Sequence, residues 1–475
     1  MNLLSFGFVP FMAVACAAYW ASPARFRAHV LLIASLAFYA FWDARLLALL
    51  VASALANHAV VRELARPAGV LTASRRRAIL RLGIGLQCAL LFAFKYFAFF
   101  AGSARSLLEA AGLPATPLAL DIAVPLGLSY FCLKAIAIQA ETYLGRLPAA
   151  PTAIHHVVYL LFFPSLTAGP IDRPQPFLAQ LDPAVRPSLR ASLRRGGDLL
   201  FVGAVKKLVI ANHLAPAVDR AFAGDFAGAG SAALAAATYA FYIYADFSGY
   251  TDLARGCAAC LGFDLAVNFR TPYGAHSPSE FWQRWHMSLS SWLRDYVFLP
   301  LGGAFRSRGR AYLNLVLTML VAGLWHGASW MYVLWGLYFG LLMVGHRALQ
   351  PSLKRLRRRL RLRGRVRQAV EVALSFSLVG FGWLIFRGDG PRQLVSAFAN
   401  GPSVGAGDWR PFLTTVVPLA LLMVLTDALG GRDAEPALLR SRRIPWWGKP
   451  VLVALAAYAV FILGVQTQSF VYAQF

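Results

Sequence analysis

The chain has 475 residues, of which 58% are hydrophobic and 14% charged, and its formal net charge is +25. Apolar runs long enough to cross a bilayer recur along it, which excludes a soluble globular protein and predicts an integral membrane protein. The surplus of Lys and Arg falls in loops between apolar segments, so it reads as membrane topology and contact with anionic lipid head groups, and nucleic-acid binding is not expected.

Spans are predicted near residues 3–20, 29–42, 46–61, 80–101, 117–139, 154–169, 198–217, 232–263, 311–346, 369–386, 411–429 and 450–467. The N-terminus enters apolar sequence without a basic leader or an evident cleavage site, so the first span is expected to be uncleaved. The predicted fold class is an all-α polytopic membrane helix bundle of about 11–13 spans. Segments 232–263 and 311–346 exceed the ~20 residues one crossing needs, so each is expected to hold a bent helix, two crossings or a re-entrant piece. Gly323 and Gly327 are the expected break in the second.

No polar linker and no internal repeat divides the chain, so residues 1–475 read as one membrane domain. Basic clusters at residues 75–77, 186–195, 306–310, 354–367 and 440–443 mark the expected cytoplasmic loops. Charge alone does not separate that topological role from attraction of a cytosolic acyl-CoA. Cys257-Ala-Ala-Cys260 lacks a second ligand pair for zinc and reads as small residues on a packed helix.

The dipeptides Trp285-His286 and Trp325-His326 carry the chemistry. On a helix Glu280 and Arg284 would pair, and Trp285, Leu289, Trp292 and Tyr296 would form an apolar stripe beside a polar one of Arg284, Ser288, Ser291 and Asp295. That predicts an amphipathic helix near an interface, ended by Pro300-Leu-Gly-Gly303. Anchoring by tryptophans explains the stripes but not a histidine within them, which leaves His286 open between a functional and a structural role.

His326 lies in an apolar run with almost no charged neighbour in sequence, where an imidazole is expensive and marks a functional-site candidate. A neutral imidazole there can accept a proton from a hydroxyl that attacks a thioester; the alternative is a core histidine bonded to a backbone carbonyl. Asp246 and Asp252 fit either support of a histidine or helix-to-helix hydrogen bonding. His-Glu-x-x-His, Walker, dinucleotide and Gly-x-Ser-x-Gly patterns are all missing, so no metal, no bound cofactor and no serine acyl-enzyme are expected.

Residues 280–296 and Gly323-Leu-Trp-His326-Gly-Ala-Ser-Trp330 closely resemble the signature regions of membrane-bound O-acyltransferases. Lys95–Phe100, Pro125–Phe131, Phe163–Arg173, Tyr244-Ala-Asp246-Phe-Ser-Gly-Tyr-Thr-Asp252, Asn268–Tyr273 and Phe381–Arg387 extend the resemblance in order over residues 90–390. It is strongest to the bacterial branch that acetylates polysaccharides, similar to the membrane subunit of alginate O-acetylation. The resemblance implies helices around a tunnel or funnel, with His326 as the catalytic residue and His286 as the second recurrent histidine. Trp325, Trp285, Arg284, Arg294, Asp295 and Asp246 become the candidate substrate-binding or supporting residues.

It also implies acetyl-CoA as co-substrate, a polysaccharide acceptor, periplasmic partner proteins and a place in the bacterial inner membrane. D-alanyl transfer to teichoic acid from a carrier-protein thioester is the close alternative. A polysaccharide or lipid transporter, or a non-catalytic scaffold, would explain the intramembrane polar residues but not these blocks.

Overall fold

The computed structural model describes residues 5, 7–67, 69–114, 123–147, 149–185, 187–305, 307–359, 363–405 and 409–430. The predicted span 450–467 and the basic cluster 440–443 lie outside them. The described residues are mainly helical, without a β-strand, as the apolar pattern requires: in lipid, backbone polar groups must be satisfied within the segment. Ala44–Leu64, Ala73–Ala110, Leu189–Ala221, Gly364–Arg387 and Trp409–Asp427 are long and apolar enough to cross a membrane. The chain forms two compact units, Met1–Gly197 with Ala254–Ala266, and Asp198–Leu253 with Val267–Phe475.

In the first unit α1 (Phe8–Ala21), α2 (Arg27–Ala40), α3 (Ala44–Leu64), α4 (Ala73–Leu91), α5 (Phe97–Ala110), α6 (Leu128–Tyr143), α7 (Ala153–Leu161) and α8 (Pro174–Ala179) follow in order. A π-helical turn, Phe92–Tyr96, joins α4 to α5. That long stretch leaves Leu82 63% and Leu107 72% exposed, as suits a helix whose solvent is hydrocarbon. Polar groups tie the helices together where no water would serve. His156 Nε2 meets Asn57 Oδ1 at 2.9 Å, and Asn57 Nδ2 donates to the Ala135 carbonyl at 3.2 Å.

The span expected over 154–169 is helical only to Leu161. Pro164 has no N–H to donate and disfavours helical backbone at Phe163, so residues 162–173 run irregularly. Irregular backbone at this depth is tolerable only inside protein, and this stretch is buried. Hydrogen bonds hold it at three points: Phe163 N–H donates to Ser35 Oγ at 3.2 Å, Tyr159 Oη to the Asp172 carbonyl at 2.9 Å, and Ala266 N–H to Asp172 Oδ1 at 2.9 Å.

The helices α9 (Leu189–Ala204), α10 (Asn212–Ala221), α11 (Ala229–Cys260), α12 (Pro278–Arg284), α13 (Met287–Leu293), α14 (Arg308–His326), α15 (Trp330–Arg359), α16 (Gly364–Arg387) and α17 (Pro391–Ala399) come next. The segment predicted over 232–263 belongs to α11, one unbroken helix of 32 residues. The segment over 311–346 is instead a hairpin of two helices, turning at Gly327. Gly323 is not part of the break, contrary to expectation. It lies inside α14, where a Cβ would come within 2.2 Å of the Tyr332 carbonyl oxygen, so its missing side chain lets α15 pack this closely.

Candidate active site

The region 280–296 does not form the single amphipathic helix that its stripes predict. α12 starts with Ser277 accepting from Glu280 N–H at 3.2 Å and Pro278 at its first turn, and its Glu280–Arg284 ion pair forms as the spacing requires. It then ends at Arg284. Trp285 is extended, and His286 takes the left-handed conformation with φ 42° and ψ 53°. α13 restarts at Met287, and a π-helical turn, Arg294–Phe298, follows it. The stripe drawn from Trp285 to Tyr296 therefore crosses a break. An unusual backbone at the histidine, rather than helical periodicity, sets where its ring points.

His326 is the last residue of α14, 2% exposed, and Gly327 follows it in extended conformation. Its ring meets those of Trp325 at 5.0 Å, Trp335 at 5.0 Å and Phe386 at 5.3 Å, all edge-on. His286, 1% exposed, packs against Phe247 of α11 at 4.7 Å and against Trp325 at 5.8 Å. The two histidines thus share Trp325 as a common neighbour. Trp285 closes the group from the other side, 4.9 Å from Trp383, which in turn contacts Trp335 at 6.4 Å.

Most of these aromatics come from buried helix faces. Met331, Trp335, Phe339 and Met343 recur every four residues along α15 and are all buried. Trp383 Nε1 donates to Tyr273 Oη at 3.1 Å, and Tyr273 Oη donates to the Ala240 carbonyl at 2.6 Å, so the indole and phenol have polar partners inside the cluster. Burial pushes the His286 imidazole well down, to about 3, because a dry site penalises its cation. The enclosure therefore holds His286 neutral at physiological pH.

The other candidates separate from this cluster by partner. Arg284 binds Glu280, and Arg294 binds Asp295 through both carboxylate oxygens, at 2.7 and 3.2 Å. Asp246 pairs with Lys207 and Asp252 with Lys206, so two consecutive lysines of the π-helical segment Val205–Ala211 face two carboxylates of α11. Tyr244, two residues before Asp246, donates to Asp427 Oδ2 at 2.7 Å and packs against Trp285 at 6.1 Å. Phe247, the residue after Asp246, is the ring against His286. Asp246 thus anchors the stretch of α11 that supports the cluster.

Trp335, Trp383, Phe386, Phe247, Lys206 and Lys207 are parts of the site that sequence reasoning did not single out. Two lysines in the apolar run Val205-Lys-Lys-Leu-Val-Ile210 were a visible sign, since unpaired cations are not kept at such depth.

Residues 86–385 match the membrane-bound O-acyltransferase family, and the chain belongs to it. It is an O-acyltransferase by class. A probable alginate O-acetylase from Pseudomonas putida is 36% identical over 86% of this chain and 80% of its own length. A peptidoglycan O-acetyltransferase from Helicobacter pylori is 30% identical over 75% and 70%. A teichoic acid D-alanyltransferase from Bacillus subtilis is 29% identical over 55% of this chain and 68% of its own length.

Proposed function

We propose that this chain takes an acetyl group from acetyl-CoA on the cytosolic side of the bacterial inner membrane. The acetyl group goes to a hydroxyl of an exported polysaccharide, directly or through a periplasmic partner. The observation that carries the reading is the pairing of His286 and His326 across Trp325 in a buried aromatic enclosure. The alginate and peptidoglycan O-acetylating relatives favour acetyl as the group and a glycan as the acceptor.

In the proposed step His326 takes the hydroxyl proton as the oxygen attacks the thioester carbonyl. The C–O bond forms, the C–S bond breaks, and the departing thiolate takes the proton back from the imidazole. The surrounding rings exclude water, which would otherwise hydrolyse the thioester. We assign His286, which shares Trp325 as a neighbour with His326, to holding one of the reactants by hydrogen bond.

The test is donor choice, in membranes containing the chain and its native partners. Label from acetyl-CoA should reach glycan without any acyl-carrier protein. Transfer that requires a D-alanyl carrier thioester would instead select the teichoic-acid reading. Glycan moving across vesicles with no acyl donor would select a transporter.

A further inference from the structure

The N-terminal end of α13 is capped from a distance. His286 stands at the N-cap position, yet its side chain makes no capping hydrogen bond. The first free N–H groups of the helix go to one other residue. Met287 N–H donates to the Asn268 carbonyl at 2.9 Å, and Ser288 N–H donates to Asn268 Oδ1 at 3.2 Å. Asn268 is fully buried and 20 residues before Ser288 in sequence. Its Nδ2 has no hydrogen-bond partner among the described residues, so the contact that defines this side chain is the one its oxygen makes.

An N-cap side chain ordinarily folds back to accept from the second or third N–H of its helix. An imidazole occupied in that way could not also face a reactant. A non-glycine residue in the left-handed region is strained and persists only where its surroundings over-determine it. Asn268 answers both requirements. It takes over the capping and pins the backbone on the C-terminal side of His286, leaving the ring against Phe247 and Trp325.

We infer that Asn268 is a positioning residue for acyl transfer, its two oxygens fixing the turn that aims His286 at the Trp325-His326 pair. The inference rests on the reading that His286 serves that reaction. Only the side-chain oxygen is open to substitution, and an aspartate puts an equivalent oxygen in its place.

The test compares Asn268→Ala, Asn268→Asp and His286→Ala in membranes with native partners, with folded protein measured alongside. Misplacement of a reacting group by about 1 Å costs about 10²-fold. Asn268→Ala should lower kcat on that scale while KM for acetyl-CoA stays within about twofold, and Asn268→Asp should recover to within about threefold of wild type. Should the alanine variant not fold, Asn268→Leu keeps a similar volume without an acceptor and should fall as far.

An unchanged kcat in Asn268→Ala or Asn268→Leu, or equal losses in the acceptor-free variant and Asn268→Asp, would overturn the inference. His286→Ala separates the two levels. If it is inactive beside an active Asn268→Ala, the inference alone fails. If it is fully active, the reading of His286 fails and takes the inference with it.

Discussion

The indole of Trp325 packs against both histidines of the site, 5.8 Å from the ring of His286 and 5.0 Å from that of His326. One side chain therefore sets the spacing of both imidazoles. Trp325→Ala should lose about 3–5 kcal/mol of stability by leaving a cavity, and activity with it. Trp325→Phe keeps a ring in place and should retain more of both. Thermal unfolding in detergent and acetyl transfer in membranes check the two halves; equal activity in the alanine and phenylalanine variants would contradict a spacing role.

The pair Lys207–Asp246 is buried at both ends. Removing one partner leaves an uncompensated charge, which costs about 3–5 kcal/mol, whereas replacing both by apolar residues is often neutral. Lys207→Met should therefore be poorly folded and the Lys207→Met/Asp246→Leu double variant should regain much of the loss. Detergent-solubilised yield and melting temperature measure this. A double variant no better than the single one would show that the two groups do not act as a pair.

His286 carries a pH signature. Its folded-state pKa, pushed down to about 3, lies below the ordinary histidine value of about 6.5, so the unfolded chain binds the extra proton first. Stability is full above pH of about 6.5 and declines as pH falls from there toward 3, by about 2 kcal/mol at pH 5. Wild type should accordingly lose more melting temperature between pH 7 and pH 5 than His286→Gln. Identical losses would mean that the imidazole is not held neutral by burial.

Gly323 should not tolerate a side chain. A Cβ there meets the Tyr332 carbonyl at 2.2 Å, in the backbone of α15, while Gly345 on α15 has nothing within 4 Å. Gly323→Ala should reduce folded yield by pushing α14 and α15 apart, and Gly345→Ala should leave it unchanged or slightly raised, as alanine favours helix by about 1 kcal/mol. Comparable yields from the two variants would contradict the close packing.

The helical class and the burial of the two Trp-His dipeptides were legible because both rest on local chemistry: apolar length, and an imidazole where apolar sequence surrounds it. Glu280–Arg284 was legible for the same reason, since four residues on a helix suffice to pair them. The break at Trp285-His286 was not. The residues on either side keep helical spacing, and the group that caps the restarted helix, Asn268, reaches it only through the tertiary fold. Asp246 drew notice as a carboxylate in an apolar run, but its partner Lys207 lies 39 residues away, and sequence gives no proximity across that distance. Gly323 was read as a break because glycine serves equally for breaking a helix and for close packing, and only the position of Tyr332 decides between them.

His326 is the proposed base for acyl transfer. The most direct measurement is transfer of radiolabelled acetyl from acetyl-CoA to polysaccharide, in membranes containing the chain and its native partners, for wild type and His326→Ala at matched amounts of folded protein. Loss of a positioned general base should lower the rate by about 10²–10⁴-fold. A His326→Ala variant that transfers label at the wild-type rate would contradict the account.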